Sequence, residues 1–316
     1  MKVLYFGTYD REHPRNVNAI AALRAAGVEV AERRAEVRHG GARGMLSVLR
    51  AETRLLAPVR RDFDAVIVGY PGHFDVPRAR RIAGRVPLVF DAVLSLEDEL
   101  VAVRRRFRPR STAATVLRAV DSRALRLPDA VVCATEAEAA YLRSLGAQVT
   151  EAIFLGADEE VYRETWAPAY PFAAVHVLDG SAETVRAAAE LASTPVRYED
   201  PPRDDGLTYA HAGVVVAGVG ESRAIAAGVF NALATGAPVV TADTAAAREL
   251  LEHRVSALLV PPGDAAALAR AIDELARDEG LRRRIAARGS EMFHERAGRA
   301  VRGARWRALL ERLSHE

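Results

Sequence analysis

Lysine is almost missing from this chain: Lys2 is the single one, and every other one of the 44 basic residues is arginine. That removes lysine as a catalytic candidate. Cysteine is reduced to Cys133, inside the apolar run DAVVCAT from Asp129 to Thr135, so neither a disulfide framework nor a metal-thiolate site can be built. Its setting is that of a small buried hydrophobe. An excess of one charge is lacking too, with 44 basic against 42 acidic residues, which argues against a nucleic-acid partner. No apolar run approaches the length of a membrane span, and the opening MKVLYFG is too short for a signal core. The expected location is cytoplasmic. Arginine clusters at Arg33-Arg34, Arg38 to Arg60 and Arg104 to Arg110 leave open a peripheral contact at the inner membrane face, although such runs are more often solvated faces.

What the chain does have is length and alternation. Its 316 residues, half of them apolar, suffice for two domains. Lys2 to Gly7 reads as a buried strand, followed by the loop TYDREHPRN and a helix closed by Gly27. Further strands are expected from Val28, over Phe63 to Gly69, Val86 to Asp91, Asp129 to Ala134 and Glu151 to Leu155. Helices are expected over 41–60, 78–84, 96–106, 111–127 and 136–145. Turn-rich residues 156–171 read as the exit from the first domain, and the alternation then restarts. The expectation is α/β: two Rossmann-like domains, 1–171 and 172–296, facing a cleft, with a last helix, 297–316, able to cross back to the first.

The stretch from Gly218 to Asp264 comes nearest to stating a function. It reads as a polar loop, a helix running to Thr235, a Gly-Ala-Pro turn, a strand, a second helix and a strand closed by PPGD. In open parallel sheets ligands bind where strands end and helices begin, so Gly220 to Arg223 is a candidate anion site. Ser222 and Arg223 either converge on a phosphate with helix amides or form an ordinary solvated helix start. Asn231, eight residues on, would share their face of the helix. In the first half, His73 in YPGHFD and Asp91 at the end of VPLVFD are the candidates for catalysis, against loop packing and capping. Arg15 and Asn16 stand where a phosphate could be reached, although Pro14 also fits a plain helix start.

The segments FNALATGAPVVTADTAAARELL from Phe230 and ALLVPPGD from Ala257 resemble the donor side of GT-B glycosyltransferases, above all the retaining family four. MKVLYFGTYDREHPRN, YPGHFD, VFDAVLSLEDE and FLGADEEVY are similar to the same group. The resemblance implies metal-independent, retaining transfer of a sugar from a nucleotide-diphosphate donor to a saccharide or lipid-linked acceptor, with no cofactor and no metal ligands. It places Arg15, Glu221, Ser222, Arg223, Gly228 and Asn231 at the donor and His73 and Asp91 at the reaction.

The chain also departs from the family. Where two glutamates usually stand eight apart it has Arg223 and Asn231, with Glu221 two positions out of register. Gly228 replaces a basic residue, and Asp179-Gly180 replaces a Gly-Arg/Lys turn. Asn hydrogen-bonds a ribose diol but lacks the charge of a carboxylate. The short interval between Val196 and Val214 implies a contracted donor domain. These departures support an alternative, a degenerate GT-B protein serving as partner subunit of another glycosyltransferase. A sugar-nucleotide epimerase is less supported, because the second half shows no convincing acid-base carboxylate pair.

Overall fold

The computed structural model describes residues 1–35, 62–92, 95–97, 100–101, 106–169, 172–177, 181–199 and 206–315. The expected helix over 41–60, most of that over 96–106, the Arg38 to Arg60 cluster and Asp179-Gly180 lie outside the described residues. The chain divides into two compact units, Met1–Ile153 with Arg302–Glu316, and Phe154–Val301.

The first unit is a parallel sheet of β1 (Lys2–Gly7), β2 (Glu29–Arg34), β3 (Ala65–Val68), β4 (Leu88–Asp91), β5 (Ala130–Cys133) and β6 (Thr150–Ala152), in the order β2-β1-β3-β4-β5-β6. Side chains of β1 alternate between two cores, which is why its sequence is apolar throughout rather than at every second position. Leu4 and Phe6 join Val76, Ala79 and Ala83 of α2 (Val76–Ala83), Leu125 of α3 (Thr112–Arg126) and Leu142 of α4 (Glu136–Leu145). Val3 and Tyr5 join Ile20 and Leu23 of α1 (Pro14–Ala25). The same core takes Trp306, Leu309, Leu310 and Leu313 from the chain's last helix, Arg299–His315. The C-terminal helix thus contributes to the first unit's core.

Local chemistry fixes the helix ends. Ser111 and Thr135 accept from the amides of Ala114 and Glu138 as N-caps, and Gly146 closes α4 in the left-handed region. His13 caps α1 through Nδ1, with Pro14 as first helical residue.

The second unit repeats the architecture. Its strands β7 (Ala174–Val177), β8 (Val196–Glu199), β9 (Val214–Val216), β10 (Val239–Ala242) and β11 (Leu258–Val260) are parallel in the order β11-β10-β9-β7-β8. On one face Val185 and Ala188 of α5 (Ala182–Leu191) pack with Leu268, Ile272 and Leu275 of α9 (Ala265–Arg277) and Ile285 of α10 (Glu279–Arg296). A five-residue α6 (Gly206–Ala210) occupies part of the interval before β9, so the contracted stretch still holds a strand and a short helix. Between them, α7 (Ala227–Thr235) precedes β10, and α8 (Ala245–Arg248) is a single turn before β11.

Two expectations differ from the structure. The exit residues 154–169 belong to the second unit. Thr165 and Trp166 donate from their amides to Thr235 O at 3.2 and 3.0 Å, and the Trp166 indole donates to Ala212 O at 2.8 Å. The helix after the polar loop starts at Ala227, so Ser222 and Arg223 precede it by a full turn and Arg223 does not share a helical face with Asn231.

Candidate active site

In each sheet the strand that comes first in sequence lies inside, and successive crossovers leave it in opposite directions. That creates a switch point between β1 and β3 in the first unit and between β7 and β9 in the second. Connections diverging at such a point open a crevice at the carboxyl ends of the strands.

In the first unit the described loops at this point are tied together by the chain's own polar groups. Gly7, at φ 132°, turns the chain out of β1, and a Cβ there would stand 2.8 Å from Asp75 Oδ2. Asp75 accepts from the Thr8 amide and hydroxyl, both at 2.8 Å. Asn16 receives the Tyr70 amide at 3.0 Å and donates to the carbonyls of Tyr70 and Asp10, which ties the loop after β1 to the loop after β3. The second of these loops contains the cis Tyr70-Pro71 peptide.

Beneath them Arg15 is buried against Asp91. The two are ion-paired at 2.6 Å, and Arg15 Nη1 donates to Ile153 O at 2.8 Å. Burial pushes the Asp91 carboxyl up, while Arg15 and the Tyr5 hydroxyl pull it back. Burial acts against the Arg15 charge as well, and the Asp91 carboxylate more than offsets it. Tyr5 is raised well above the usual phenol range by burial first and by Asp91 next, so it remains a neutral donor, 2.9 Å from Asn16 Oδ1. The arrangement is a closed framework. Arg15, expected at a loop reaching a phosphate, lies instead in the interior across the ends of β4, β5 and β6, and Asp91, expected to face a ligand, is its counter-ion.

His73 is buried as well. Its Nδ1 lies 2.9 Å from Pro71 O, and because a carbonyl only accepts, that nitrogen carries the proton. Nε2 is 3.6 Å from Asp121 Oδ1, and the ring stands edge-on to Phe90. Burial raises the Asp121 carboxyl, against the Glu97 amide, His73 and the Leu96 amide. His73 therefore joins the loop after β3 to α3 inside the unit.

The second unit presents the opposite picture. Gly218, at φ 61°, turns the chain after β9, where a Cβ would meet Ala226 Cβ at 2.9 Å. The loop it opens carries Glu221, Ser222 and Arg223, all exposed. Ser222 Oγ accepts from the Ala224 amide at 3.0 Å, a local turn that bends the loop before the helix. Helix α7 then starts at Ala227 with Ala226 as its cap residue and no side-chain cap. Gly228 is its second residue, and Asn231, half-buried, donates to Tyr209 Oη at 3.4 Å. The Tyr209 ring stands edge-on to Tyr162.

The structure brings Glu221, Ser222 and Arg223 onto one loop, with Gly228 and Asn231 on the helix after it. It places Arg15, Asp91 and His73 in the first unit's interior. Sequence reasoning did not single out Asp75, Asp121 or Tyr209. Asp75 carried a signal as the acid ending YPGHFD, whereas Asp121 and Tyr209 sit in ordinary helical stretches and gave none. Among the described residues no group of three or more His, Cys, Asp and Glu is placed to hold a metal, and no helix is long and apolar enough to cross a membrane.

Residues 175–278 match the family Glycosyl transferases group 1, a span that includes the loop and α7. No curated protein matches the sequence significantly. The structure is similar to sucrose-phosphate synthase from Thermosynechococcus elongatus, with TM-score 0.73 and 17% identity over 99% of this chain and 98% of that one. It is also similar to HepE from Anabaena in complex with UDP-glucose, with TM-score 0.70 and 17% identity over 99% and 100% of the chains. A glycosyltransferase from Rickettsia africae gives 0.66 and 10% over 99% and 98%. At these identities the likeness to solved structures shows the fold, and the family match covers about a third of the chain. The solved structures show the fold, two parallel-sheet α/β units of the GT-B type, and the stretch that matches the glycosyltransferase family lies in the second unit.

Proposed function

We propose that the protein transfers a glycosyl group from a nucleoside-diphosphate sugar to an acceptor hydroxyl, with retention at the anomeric carbon and without a metal ion. The observation carrying this reading is the start of α7. A nine-residue helix begins without a side-chain cap at the second unit's switch point, behind an exposed loop bearing Ser222 and Arg223, within the span of the family match. An uncapped helix N-terminus directs amides and the positive end of its dipole at whatever occupies the crevice, and a diphosphate suits both.

In the transfer the bond from the anomeric carbon to the diphosphate breaks and a bond to the acceptor oxygen forms. The acceptor's proton passes to the departing diphosphate, on which negative charge grows. Arg223 and the first amides of α7 stabilise that charge, and Gly228 leaves the helix start open to close approach. Asn231, steadied by Tyr209, hydrogen-bonds the ribose hydroxyls in place of a carboxylate. Arg15, Asp91 and His73 hold the first unit's loops in position. HepE has been crystallised with UDP-glucose and with UDP and glucose, which makes a uridine nucleotide the first donor to try.

The test is a thermal-shift panel of uridine, guanosine, adenosine and thymidine diphosphates and their sugars. A ligand bound only by the native state raises the melting temperature, by about 2.7 kcal/mol of stabilisation at a hundred times its Kd. One nucleotide with its sugar is expected to raise it. A well-folded protein with no response to the whole panel contradicts the reading, and binding without turnover would leave the partner-subunit role.

A further inference from the structure

Exposed arginines on this chain's helices are commonly paired along the helix. On α10 Arg283 pairs with Glu279 and Arg288 with Glu291, both at 2.7 Å or less, and on the last helix Arg307 pairs with Glu311 at 2.7 Å. Such mixing of sign is what a solvated helix face is built from.

Helix α3 is built differently. Residues 106–126 contain a single acid, Asp121, and it is buried, accepting from the amides of Leu96 and Glu97 at 2.9 and 3.0 Å. Arg118 pairs with Glu97. That leaves Arg106, Arg108 and Arg110 in the stretch before the helix and Arg123 and Arg126 in its last turn, all exposed, and among the described residues none of the five has a carboxylate partner. The first three do not serve α3 itself. Cations beside a helix N-terminus oppose its dipole, and no acid stands in the first turn to offset them.

Between the two groups of arginine the outer face of α3 is largely apolar. Ala114, Asp121, Ala124 and Leu125 are buried on one side. The opposite stripe, spaced by four and three residues in turn, reads Thr112, Val116, Ala119, Arg123 and Arg126, all exposed. Val116 is 56% exposed, and Phe107, before the helix, 37%. Fifteen residues make this face about 22 Å long. An apolar centre with cations at both ends and no exposed acid suits a helix lying in a lipid interface. There the apolar side chains enter the acyl boundary while the guanidiniums stay with anionic headgroups. A soluble polyanion would use the arginines and gain nothing from Val116, Ala119 and Phe107.

We propose that the outer face of α3, with residues 106–110 before it, is a docking surface for an anionic lipid bilayer. The surface belongs to the first unit and does not rest on the nucleotide reading of the second.

Flotation with vesicles of phosphatidylcholine alone and of phosphatidylcholine with phosphatidylglycerol tests it. The protein is expected to float with the anionic vesicles, to stay behind with the neutral ones, and to be released by about 1 M salt, where the Debye length is about 3 Å. Arg123→Glu with Arg126→Glu is expected to weaken vesicle binding by about tenfold or more. Val116→Trp is expected to strengthen it, and the emission of this variant to move to the blue, relative to wild type, when anionic vesicles are added. All three positions are exposed, so the variants are expected to melt with the wild type and to keep its affinity for UDP. Val116→Trp keeps the test open even where the double variant fails to fold. Absence of flotation with anionic vesicles overturns the proposal. So does Val116→Trp emission unmoved by them, which together with salt-sensitive retention on heparin would assign the arginines to a soluble polyanion.

Discussion

The two units share one sheet topology and treat its switch point in opposite ways. In the first, Asp75, Asn16, Tyr5, Arg15 and Asp91 form a buried, hydrogen-bonded set that locks the loops after β1 and β3 together. In the second, the loop after β9 is exposed, its polar side chains face solvent, and the helix it feeds has no side-chain cap. The lesson is that a strand-end charge is not a site by virtue of its place. Asp91 ends β4 where a ligand contact is expected, yet its partner is Arg15. Polar groups buried with their partners hold the first unit's shape, whereas Glu221, Ser222 and Arg223 stand exposed at the surface of the second.

This contrast breaks first at Asp91. Asp91→Ala strands a buried guanidinium, and its loss is expected to cost about 3–5 kcal/mol in chemical denaturation, whereas Arg15→Met with Asp91→Leu is expected to recover most of that cost. An Asp91→Ala protein of unchanged stability and lost turnover would move Asp91 into the reaction and dissolve the comparison. Trp306→Ala, which empties a fully buried site in the same unit, is expected to cost a similar amount, about 3–5 kcal/mol.

A smaller effect sharpens the second unit's side. Asp273 of α9 accepts from the amides of Ser193 and Thr194 at 3.0 and 2.9 Å. Burial raises its carboxyl, and these hydrogen bonds outweigh that and hold it below the usual value. A depressed carboxyl stabilises the fold above its unfolded pKa, near 3.9, and the contribution is lost as pH falls through the lower folded value. Asp273→Asn is expected to cost about 1 kcal/mol at pH 7, with the gap from wild type closing progressively below about pH 4. A gap constant down to pH 2 would count against the assignment. The smallest effect is at Cys133, whose thiol burial pushes up and encloses, so a thiol reagent is expected to leave it unlabelled until the first unit unfolds.

The scaffold was legible because its signals are local. Continuous apolar strands, Gly146 and Gly27 at helix ends and the restart of alternation after Pro171 all act within a few residues, and they suffice to expect two parallel α/β layers. The pairing of Arg15 with Asp91 was not legible, because 76 residues separate them and neither neighbourhood names the other. The helix expected directly after Ser222 and Arg223 begins only at Ala227, for a related reason. Ser222 looks like a cap, but its hydroxyl is occupied by the Ala224 amide, and the turn defers the helix to Ala227. Asn231 kept its place on that helix, and its contact with Tyr209 arises only when α6 folds beside α7.

The central claim is that the open loop of the second unit, and not the closed network of the first, binds the nucleotide. It is tested most directly by titrating UDP, or whichever diphosphate the panel selects, into wild type, Arg223→Ala and Arg223→Ala with Asn231→Ala. Arg223 is exposed, so the single variant is expected to melt with the wild type, to bind about tenfold more weakly, a loss of about 1.4 kcal/mol, and to lose further affinity when Asn231 is also removed. Unchanged affinity in a folded double variant would contradict the account.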